Sequence, residues 1–472
     1  MIDLSQFSGI VSLVNVITII SIVCFRKRNP LSSMAWIMFL ILFPVVGGIA
    51  FLIFGVGISS YSRYRYKKKQ EINENSVLHK QKELVRAQET GDFPQSGIIR
   101  YFLNSDCVYC ENNNVKIFTD AGEKYEALLR DIEGARDSIN LLYFIIRNDS
   151  IGNRIIDALC QKAREGVKVR LMYDGLGSLL TPRRLFNRLR KIPGSEVVEF
   201  FPVRILSMFK INHRNHRKIV IVDGQIAYLG GMNIGDEYMN CKTSKDLNWR
   251  DTHIRITGDA VEYVEQCFAR DWEFSTGKEL PKSNLKRHSD GNVGIQIVAS
   301  GPDTVGEEIK NGMIRMIYSS KRYIKIQTPY FVPDDAFLTA IKTAAQSGVD
   351  VRVMIPGIPD KKYVYHTTMS YVGELLEAGV RVFLYPGFIH SKTMTVDDEL
   401  ATIGSANVDI RSFRLLFELN AFMYGQEISV ECREIFDADE KLCRELTMAE
   451  YKKRGIVKII KEGFFRLFSP IM

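Results

Sequence analysis

The sequence has little of what a structural metal site or a disulfide framework needs. Its 472 residues include only eight cysteines and seven histidines, and the cysteines are scattered along the chain. Cys107 and Cys110 alone have C-x-x-C spacing, with neither a second such pair nor a nearby histidine. Because a structural zinc ion takes a full tetrahedral set of ligands, we expect no metal ion, and cysteines that stay reduced in a cytosol-facing protein.

Charged residues are absent from two long stretches near the amino terminus. Residues 7–24 and 31–61 contain no Asp, Glu, Lys or Arg and are largely aliphatic or aromatic. Because a bilayer core takes about 20 apolar residues, we predict a transmembrane helical hairpin over residues 1–61; the alternative is two buried helices of a soluble domain. Positions 1–6 lack basic residues and no small-residue cleavage site follows, so we do not expect a secretory signal peptide.

Basic residues are more frequent after the second apolar stretch than before it. Five lie at positions 63–69, whereas three lie at positions 26–28, between the two stretches. Loops rich in Lys and Arg stay in the cytoplasm, so we expect a multi-pass membrane protein whose termini, and the long chain after residue 61, are cytoplasmic. The net charge of +8 favours an anionic partner, either phospholipid headgroups or nucleic acid.

Two stretches carry histidine, lysine and aspartate at the same offsets, followed by small residues and an asparagine. The first has His216, Lys218, Asp223, Gly231 and Asn233, and the second has His390, Lys392, Asp397, Ser405 and Asn407. In an extended strand residues i and i+2 share a face, so each histidine and its lysine point into one pocket. The apolar run that follows, and the turn residues after it, predict a strand-turn-strand hairpin for each stretch.

These residue types suit chemistry on a phosphate ester. Imidazole acts as a nucleophile or as a general acid near neutral pH, and the lysine ammonium neutralises phosphate oxygens without a metal ion. Two copies supply one histidine for each role. The alternative, two structural strand histidines beside surface lysines, does not account for a matched pair.

The internal repeat extends beyond these stretches. Residues 166–172 and 348–354 share the pattern Gly-Val-x-Val-Arg-x-Met, and each follows a predicted helix, over residues 155–164 and 336–346. Matching strands precede these helices, so we predict an α/β fold with two similar halves. The expected divisions are a transmembrane hairpin (1–61), a polar linker (62–112), a first half (113–280), a second half (281–450) and a basic amphipathic tail (451–472).

The doubled H-x-K-x4-D motif resembles that of the phospholipase D superfamily. The pattern Asn29-Pro30, Ala35-Trp36, Pro44 and Gly55 and the ending Ser469-Pro470 also resemble bacterial cardiolipin synthases. The resemblance implies two phospholipase D-like α/β halves that form one catalytic body in a bacterial cell membrane. It further implies phosphatidyl transfer between two phosphatidylglycerol molecules, giving cardiolipin and glycerol through a phosphohistidine, with no cofactor.

The resemblance also implies roles for individual residues. His216 would be the nucleophile and His390 the general acid. The two catalytic motifs would be completed by Lys218, Asp223, Lys392 and Asp397. Asn233, Ser405 and Asn407 would contact the phosphate, although Gly231 stands where the first half should have serine. Asp251 and Glu418 would orient the histidine rings, the alternative being plain salt bridges. We expect the motif aspartates to serve structure rather than proton transfer.

Three other functions use similar residues. A phospholipase D hydrolase would admit water to the same site, and a nuclease would act on another phosphodiester. A catalytically silent lipid-binding protein would have lost a motif residue, which is not the case here. The apolar amino terminus and the basic, apolar tail favour phosphatidylglycerol and a membrane surface over nucleic acid. The alternative for the tail is packing on the catalytic body.

Overall fold

The computed structural model describes residues 4–25, 30–51, 76–87, 96–203, 212–240, 248–281, 291–302, 304 and 306–471. Its helices are α1 (Leu4–Phe25), α2 (Pro30–Leu42), α3 (Pro44–Ala50), α4 (Ser76–Ala87), α5 (Ser96–Asn104), α6 (Ala121–Gly134), α7 (Ser150–Arg164), α8 (Arg183–Arg190), α9 (Val261–Thr276), α10 (Glu308–Ser319), α11 (Asp335–Gln346), α12 (Lys362–Glu377), α13 (Ile410–Arg414), α14 (Gln426–Glu440), α15 (Met448–Lys452) and α16 (Ile456–Arg466). Short 3-10 helices cover Asp236–Met239 and Ser469–Ile471.

The strands are β1 (Tyr109–Cys110), β2 (Asn113–Phe118), β3 (Ser138–Tyr143), β4 (Lys168–Asp174), β5 (Ser195–Phe200), β6 (Ile219–Val222), β7 (Ile226–Gly230), β8 (Trp249–Arg250), β9 (His253–Gly258), β10 (Gly294–Ser300), β11 (Tyr323–Gln327), β12 (Phe331–Val332), β13 (Asp350–Pro356), β14 (Arg381–Tyr385), β15 (Phe388–Ile389), β16 (Thr393–Val396), β17 (Leu400–Gly404), β18 (Val408–Asp409), β19 (Glu418–Tyr424) and β20 (Arg444–Leu446).

Two large β-sheets correspond to the two predicted halves. The first has the strand order β2-β9-β7-β6-β3-β4-β5, and the second has the order β1-β10-β19-β17-β16-β11-β13-β14-β20. In the first sheet β3, β4 and β5 are parallel, and in the second β11, β13 and β14 are parallel. The predicted α/β fold with two similar halves is confirmed.

The two sheets share one apolar core. Ile219 and Leu229 of the first sheet belong to the same cluster of buried side chains as Ile403 and Leu419 of the second. Helices bury the remaining faces, so most strands are covered on both sides and read as continuous apolar runs. The two halves therefore form one body.

Both predicted motif hairpins are present, beside the parallel strands. Strand β6 runs antiparallel to β3 with Ile219 opposite Leu142, and β16 runs antiparallel to β11 with Thr393 opposite Gln327. The residues just before β6 and β16 therefore lie where the parallel strands end. We call this side of the two sheets the carboxyl edge; such an edge is where α/β folds commonly bind ligands.

The motif aspartates lie at the other end of these hairpins. Asp397 adopts φ 56° and accepts hydrogen bonds from the N–H groups of Lys321, Arg322 and Tyr323 at 2.5, 2.9 and 2.7 Å. Asp223 accepts three in the same way from residues 136–138. At about 3.3 Å per strand residue, each aspartate is roughly 16 Å along the strand from its lysine. The prediction that groups Asp223 and Asp397 with the catalytic residues is therefore corrected. Both side chains bind the main chain of the turns that lead into β3 and β11.

Helices α1, α2 and α3 contact one another near the amino terminus. The Asn15 amide donates to the main-chain oxygens of Leu40 and Pro44 at 3.4 and 3.0 Å, and the rings of Trp36 and Phe51 are 5.3 Å apart. Over the stretches that the structure describes, no helix is both long and apolar enough to cross a membrane. The basic positions 26–28 and 63–69 lie outside the described residues.

Part of the predicted linker is folded onto the second half. Ile98 and Phe102 of α5 lie in the core of that half, where the Phe102 ring is 4.5 Å from the Phe422 ring. Strand β1 pairs with β10. The structure differs from the prediction here because α5 has an apolar face, which the polar composition of the surrounding residues conceals.

The carboxyl-terminal tail has one face on the main body and one in the open. The Tyr451 hydroxyl donates to Met369 O at 2.9 Å, and Arg466 donates to Ser370 O at 3.2 Å. The opposite face of α16 exposes Ile456, Val457, Ile460 and Phe464. The tail therefore packs on the body and still presents an apolar surface.

We expect Asp397→Ala to lower the free energy of unfolding by about 2 kcal/mol, because three main-chain N–H groups lose the buried carboxylate that accepts their hydrogen bonds. Thermal unfolding followed by circular dichroism in one detergent would measure the change. Asp120→Ala is the matched control, since Asp120 caps α6 through the single N–H of Glu123 and should cost about 1 kcal/mol. Equal losses in the two variants would contradict the role given to Asp397.

Candidate active site

Main-chain segments of the two halves meet where the motif histidines lie. Asn215 bridges to Phe417, and the His216 N–H donates to Phe417 O at 2.9 Å. Strand β8 pairs with β15, and the His390 N–H donates to Arg250 O at 2.6 Å. The main chain of each histidine is thus bound to the opposite half. The residue that binds it, Phe417 or Arg250, directly precedes the predicted carboxylate residue in the sequence.

The carboxylates of Asp251 and Glu418 bind the histidine of the opposite half. Nδ1 of His216 lies 3.0 and 3.1 Å from the two carboxylate oxygens of Glu418. Nδ1 of His390 lies 2.6 Å from Asp251 Oδ2. All four side chains are buried. The structure brings the predicted orienting carboxylates to the histidines, and it exchanges them between the halves.

Burial favours a neutral ring in each pair. Desolvation lowers the pKa of His216 to about 4 and that of His390 to about 3, although Glu418 and Asp251 act in the opposite direction. Burial alone raises the pKa of each carboxyl, but the neighbouring lysines and histidines outweigh it and bring the pKa below its ordinary value. The ionised carboxylate accepts the Nδ1–H, so the unprotonated nitrogen of each neutral ring is Nε2.

The motif lysines are buried beside these histidines. Lys218 donates to His216 O at 2.5 Å, and Lys392 donates to His390 O. Burial lowers the pKa of Lys218 to about 7 and that of Lys392 to about 8, and the charge of Lys392 further lowers the pKa of Lys218. Burial makes both ammonium charges costly, so the arrangement favours an anion bound beside them, such as an anionic phosphodiester.

The residue after the first glycine of each motif differs between the halves: Gly231 follows Gly230, whereas Ser405 follows Gly404. The structure gives the reason. The Ser405 hydroxyl donates to Glu418 at 2.5 Å. A Cβ at Gly231 would lie 2.0 Å from Asp251 Oδ1, which instead accepts the Thr252 N–H at 2.7 Å. The shorter carboxylate therefore lies against the main chain of Gly231, whereas the longer Glu418 leaves room for a serine.

Asn233 and Asn407 lie after β7 and β17, and both are buried. The Asn233 amide donates to the Tyr238 hydroxyl at 2.5 Å, and the Tyr238 ring is 6.1 Å from the His390 ring. The Asn407 amide donates to Asp409 at 2.9 Å, while its buried Oδ1 has no hydrogen-bond partner. Each amide keeps a second N–H.

The sequence reasoning did not identify Arg217, which lies between His216 and Lys218. Its guanidinium donates to Glu418 O at 3.0 Å and binds Asp271 through two bonds of 2.6 and 2.7 Å. In a strand the residue between two pocket residues faces the other way, so an arginine there indicates a buried carboxylate partner. Arg217 thus fixes the main chain that carries Glu418.

Arg250 does the same for the second pair. It donates to Asp251 O at 2.5 Å and pairs with Asp439 at 2.8 Å. The Ser391 hydroxyl, which takes the place of Arg217 in the second motif, accepts from Arg250 at 3.2 Å. The role of Arg250 could not be predicted from the sequence, because its partner Asp439 lies in the other half.

The cysteine pair takes no part in this site. Cys107 and Cys110 form no disulfide, and Cys110 is buried in β1. Across the residues that the structure describes, no group of three or more His, Cys, Asp or Glu side chains is arranged to hold a metal ion.

We expect the free energy of unfolding to fall as the pH falls below 6.5, because the unfolded chain then protonates histidines whose folded pKa is about 4 and about 3. This stability is fully present above pH 6.5 and is lost through the folded pKa values. The slope is at most about 1.4 kcal/mol per pH unit for each histidine. Denaturant unfolding between pH 7 and pH 5 would measure it. His390→Gln should flatten the curve, and parallel curves would count against the buried neutral histidine.

We expect Arg217→Lys to lower kcat roughly tenfold or more with little change in KM, because a lysine cannot hold Asp271 and Glu418 O together. Steady-state kinetics would separate the two constants. Arg255→Lys is the matched control, since Arg255 binds Asp131 through a similar two-bond pair away from the histidines. An equal loss in the control would assign the effect to general destabilisation.

The chain is similar to known proteins over both halves and at its amino terminus. A family model described as "Cardiolipin synthase, PLD-like domain" matches residues 128–272 and 313–440, and one described as "Phospholipase_D-nuclease N-terminal" matches residues 13–55. A phosphatidylserine synthase structure from Haemophilus influenzae has a TM-score of 0.61 at 14% identity and covers 80% of this chain and 100% of its own. At that identity the likeness concerns the fold alone.

Curated relatives match over nearly the whole chain. The cardiolipin synthase of Oceanobacillus iheyensis is 42% identical and covers 99% of both chains. The major cardiolipin synthase ClsA of Bacillus subtilis is 41% identical and covers 98% of both chains. With this identity and coverage, the chain belongs to the cardiolipin synthase family of phospholipase D-like enzymes.

Proposed function

We propose that this phosphatidyltransferase joins two phosphatidylglycerol molecules into cardiolipin and releases glycerol. The observation that carries the proposal is the pair of contacts His216–Glu418 and His390–Asp251 in one buried cluster. Phosphatidyl transfer needs one imidazole as nucleophile and one as acid, each with its Nε2 directed at the substrate. The carboxylates fix that tautomer in both rings.

In the first step Nε2 of His216 attacks phosphorus opposite the leaving glycerol oxygen. The N–P bond forms as the P–O bond breaks, and the proton on Nε2 of His390 passes to the glycerol oxygen. Burial lowers the pKa of His390 in the free protein, and the negative charge of the bound phosphodiester favours its protonated form. The products of this step are glycerol and a phosphatidyl-His216.

In the second step a second phosphatidylglycerol takes the place of glycerol. Its terminal hydroxyl gives its proton to Nε2 of His390 and attacks the same phosphorus, and the bond to His216 breaks. Cardiolipin is released and both histidines return to their starting states. Two in-line displacements give retention at phosphorus.

Lys218 and Lys392 provide the positive charge at the phosphate, so the proposed reaction needs no metal ion or other cofactor. A developing charge on the phosphate oxygens is stabilised by fixed cations and N–H donors in a dry site. Asn233 and Asn407 supply further donors through their remaining N–H groups. The Ser405 hydroxyl is bound to Glu418, so Ser405 helps to hold the carboxylate that orients His216.

We also propose that the protein acts at the bacterial cell membrane as a multi-pass protein with a cytoplasmic catalytic part. The amino-terminal family match over residues 13–55 and the exposed aliphatic side chains of α1 and α2 support an apolar anchor there. The exposed apolar face of α16 supports a second contact with anionic lipid. The divisions 1–61, 113–280, 281–450 and 451–472 are proposed as functional units, and of the predicted linker 62–112 the part that forms α5 and β1 belongs with the second half.

Purified full-length protein, incubated with phosphatidylglycerol in the presence of excess chelator, should form cardiolipin and glycerol in equal amounts. Lipid chromatography and a glycerol assay would measure both products. A nucleic-acid phosphodiester should stay intact under the same conditions. Phosphatidic acid as the main product would indicate a hydrolase, and cleaved nucleic acid would indicate a phosphodiesterase.

The histidine roles are tested with variants of the same protein. His390→Ala should trap a phosphatidyl adduct on His216 when the substrate has an activated leaving group, because such a group needs no acid. Mass spectrometry of the peptides would locate the adduct. An adduct on His390 in His216→Ala, with none on His216 in His390→Ala, would reverse the roles.

A further inference from the structure

Two loops flank the catalytic cluster at the carboxyl edge, one from each half. Strand β4 ends at Asp174 and leads into residues 175–181, which we call the first loop. Strand β13 ends at Pro356 and leads into residues 357–361, the second loop. Because β4 lies beside β3 and β13 lies beside β11, both loops begin at the edge that carries the motif histidines.

The first loop is tied to the site at its base and exposes leucines at its tip. The Ser178 hydroxyl donates to Phe144 O at 3.2 Å, and the Phe144 ring lies 4.9 Å from the His216 ring. Beyond this base Leu179 is 58% exposed and Leu180 is 83% exposed. Leucines so exposed lower solubility unless something apolar covers them.

The sequence that follows these leucines carries charge of one sign. Residues 175–195 contain five basic residues and no acidic one. Arg183 and Arg184 follow the leucine tip after Thr181 and Pro182, and both are exposed. An apolar tip with a cationic border fits the boundary between anionic headgroups and acyl chains.

The second loop also places an exposed aliphatic side chain next to lysines, beside the other histidine, and it contains one acidic residue, Asp360. Tyr330 donates to Asp360 at 2.7 Å, and the Phe388 ring lies between the rings of Tyr330 and His390, at 6.3 and 5.7 Å. Ile358 is 44% exposed, and the exposed residues 361 and 362 are both lysines. Each half therefore presents an exposed aliphatic side chain next to exposed basic residues at the carboxyl edge.

We propose that the two loops insert their apolar side chains into an anionic phospholipid bilayer and hold the catalytic cluster at headgroup depth. This inference rests on the proposed function and adds the surface through which lipid enters. A phosphatidyl headgroup then reaches the motif histidines while its acyl chains stay in the membrane. Charge complementarity selects this occupant, since a protein partner does not require cationic borders on both halves.

A fluorescence measurement tests the insertion without any reliance on activity. Full-length Leu180→Cys and Ile358→Cys, each in a background with Cys24, Cys107, Cys241 and Cys443 replaced by serine, would carry an environment-sensitive probe. On equimolar phosphatidylglycerol and phosphatidylcholine vesicles both probes should shift to the blue and be quenched by nitroxide-labelled lipid. Tyr318→Cys is the control: Tyr318 is 64% exposed but lies at the end of α10, which leads into the start of β11 at the opposite edge. Probes at 180 and 358 that resemble the control would overturn the proposal.

Kinetics separate this proposal from the proposed function. Leu179→Ser/Leu180→Ser should lose about tenfold in transfer on vesicle phosphatidylglycerol, since the buried apolar area is lost, and stay within about twofold on monomeric short-chain phosphatidylglycerol. Tyr318→Ser should match the unmodified protein on both substrates. An equal fall on both substrates, or none on vesicles, would overturn the loop proposal. Failure of the unmodified protein on both would overturn the function and leave the fluorescence result to decide the insertion.

Discussion

The exchange of carboxylates between the two halves is the constraint on which the site depends. A buried imidazole next to buried lysines has no preferred tautomer of its own, and each ring could turn either nitrogen toward the substrate. Glu418 and Asp251 fix the rings of His216 and His390 and offset part of the positive charge. Since each carboxylate comes from the opposite half, neither half alone contains a histidine together with the carboxylate that orients it. The active site therefore exists only when both sheets are packed together.

The packing around the exchange follows from the same requirement. The shared core places the sheets face to face, and the pairing of β8 with β15 and the bridge between Asn215 and Phe417 set the crossing segments in register. Arg217 then binds the main-chain oxygen of Glu418, and Arg250 binds that of Asp251. A buried guanidinium is tolerated because each has a buried aspartate partner. Stability and catalytic geometry thus depend on one set of contacts.

The sequence was informative wherever a local pattern decides the structure. The hairpins of β6–β7 and β16–β17 and the helix–strand repeats followed from spacing and residue type, and the two orienting carboxylates followed from the family resemblance. The exchange itself did not, because register between distant strands is set by packing of the two halves rather than by local order. The same holds for the pairing of Arg250 with Asp439. Gly231 departs from the motif because Asp251 occupies the space that a side chain at this position would need. The fold of α5 onto the second half escaped notice among polar neighbours.

The most direct test of the exchange is nitrogen NMR of the full-length protein labelled with 15N-histidine, whose seven histidines can be assigned by single substitutions. At neutral pH the rings of His216 and His390 should be neutral and protonated on Nδ1. Glu418→Gln should shift the Nδ1 resonance of His216 and leave His390 unchanged, and Asp251→Asn should do the reverse. A Glu418→Gln protein in which His390 shifts and His216 does not would contradict the account.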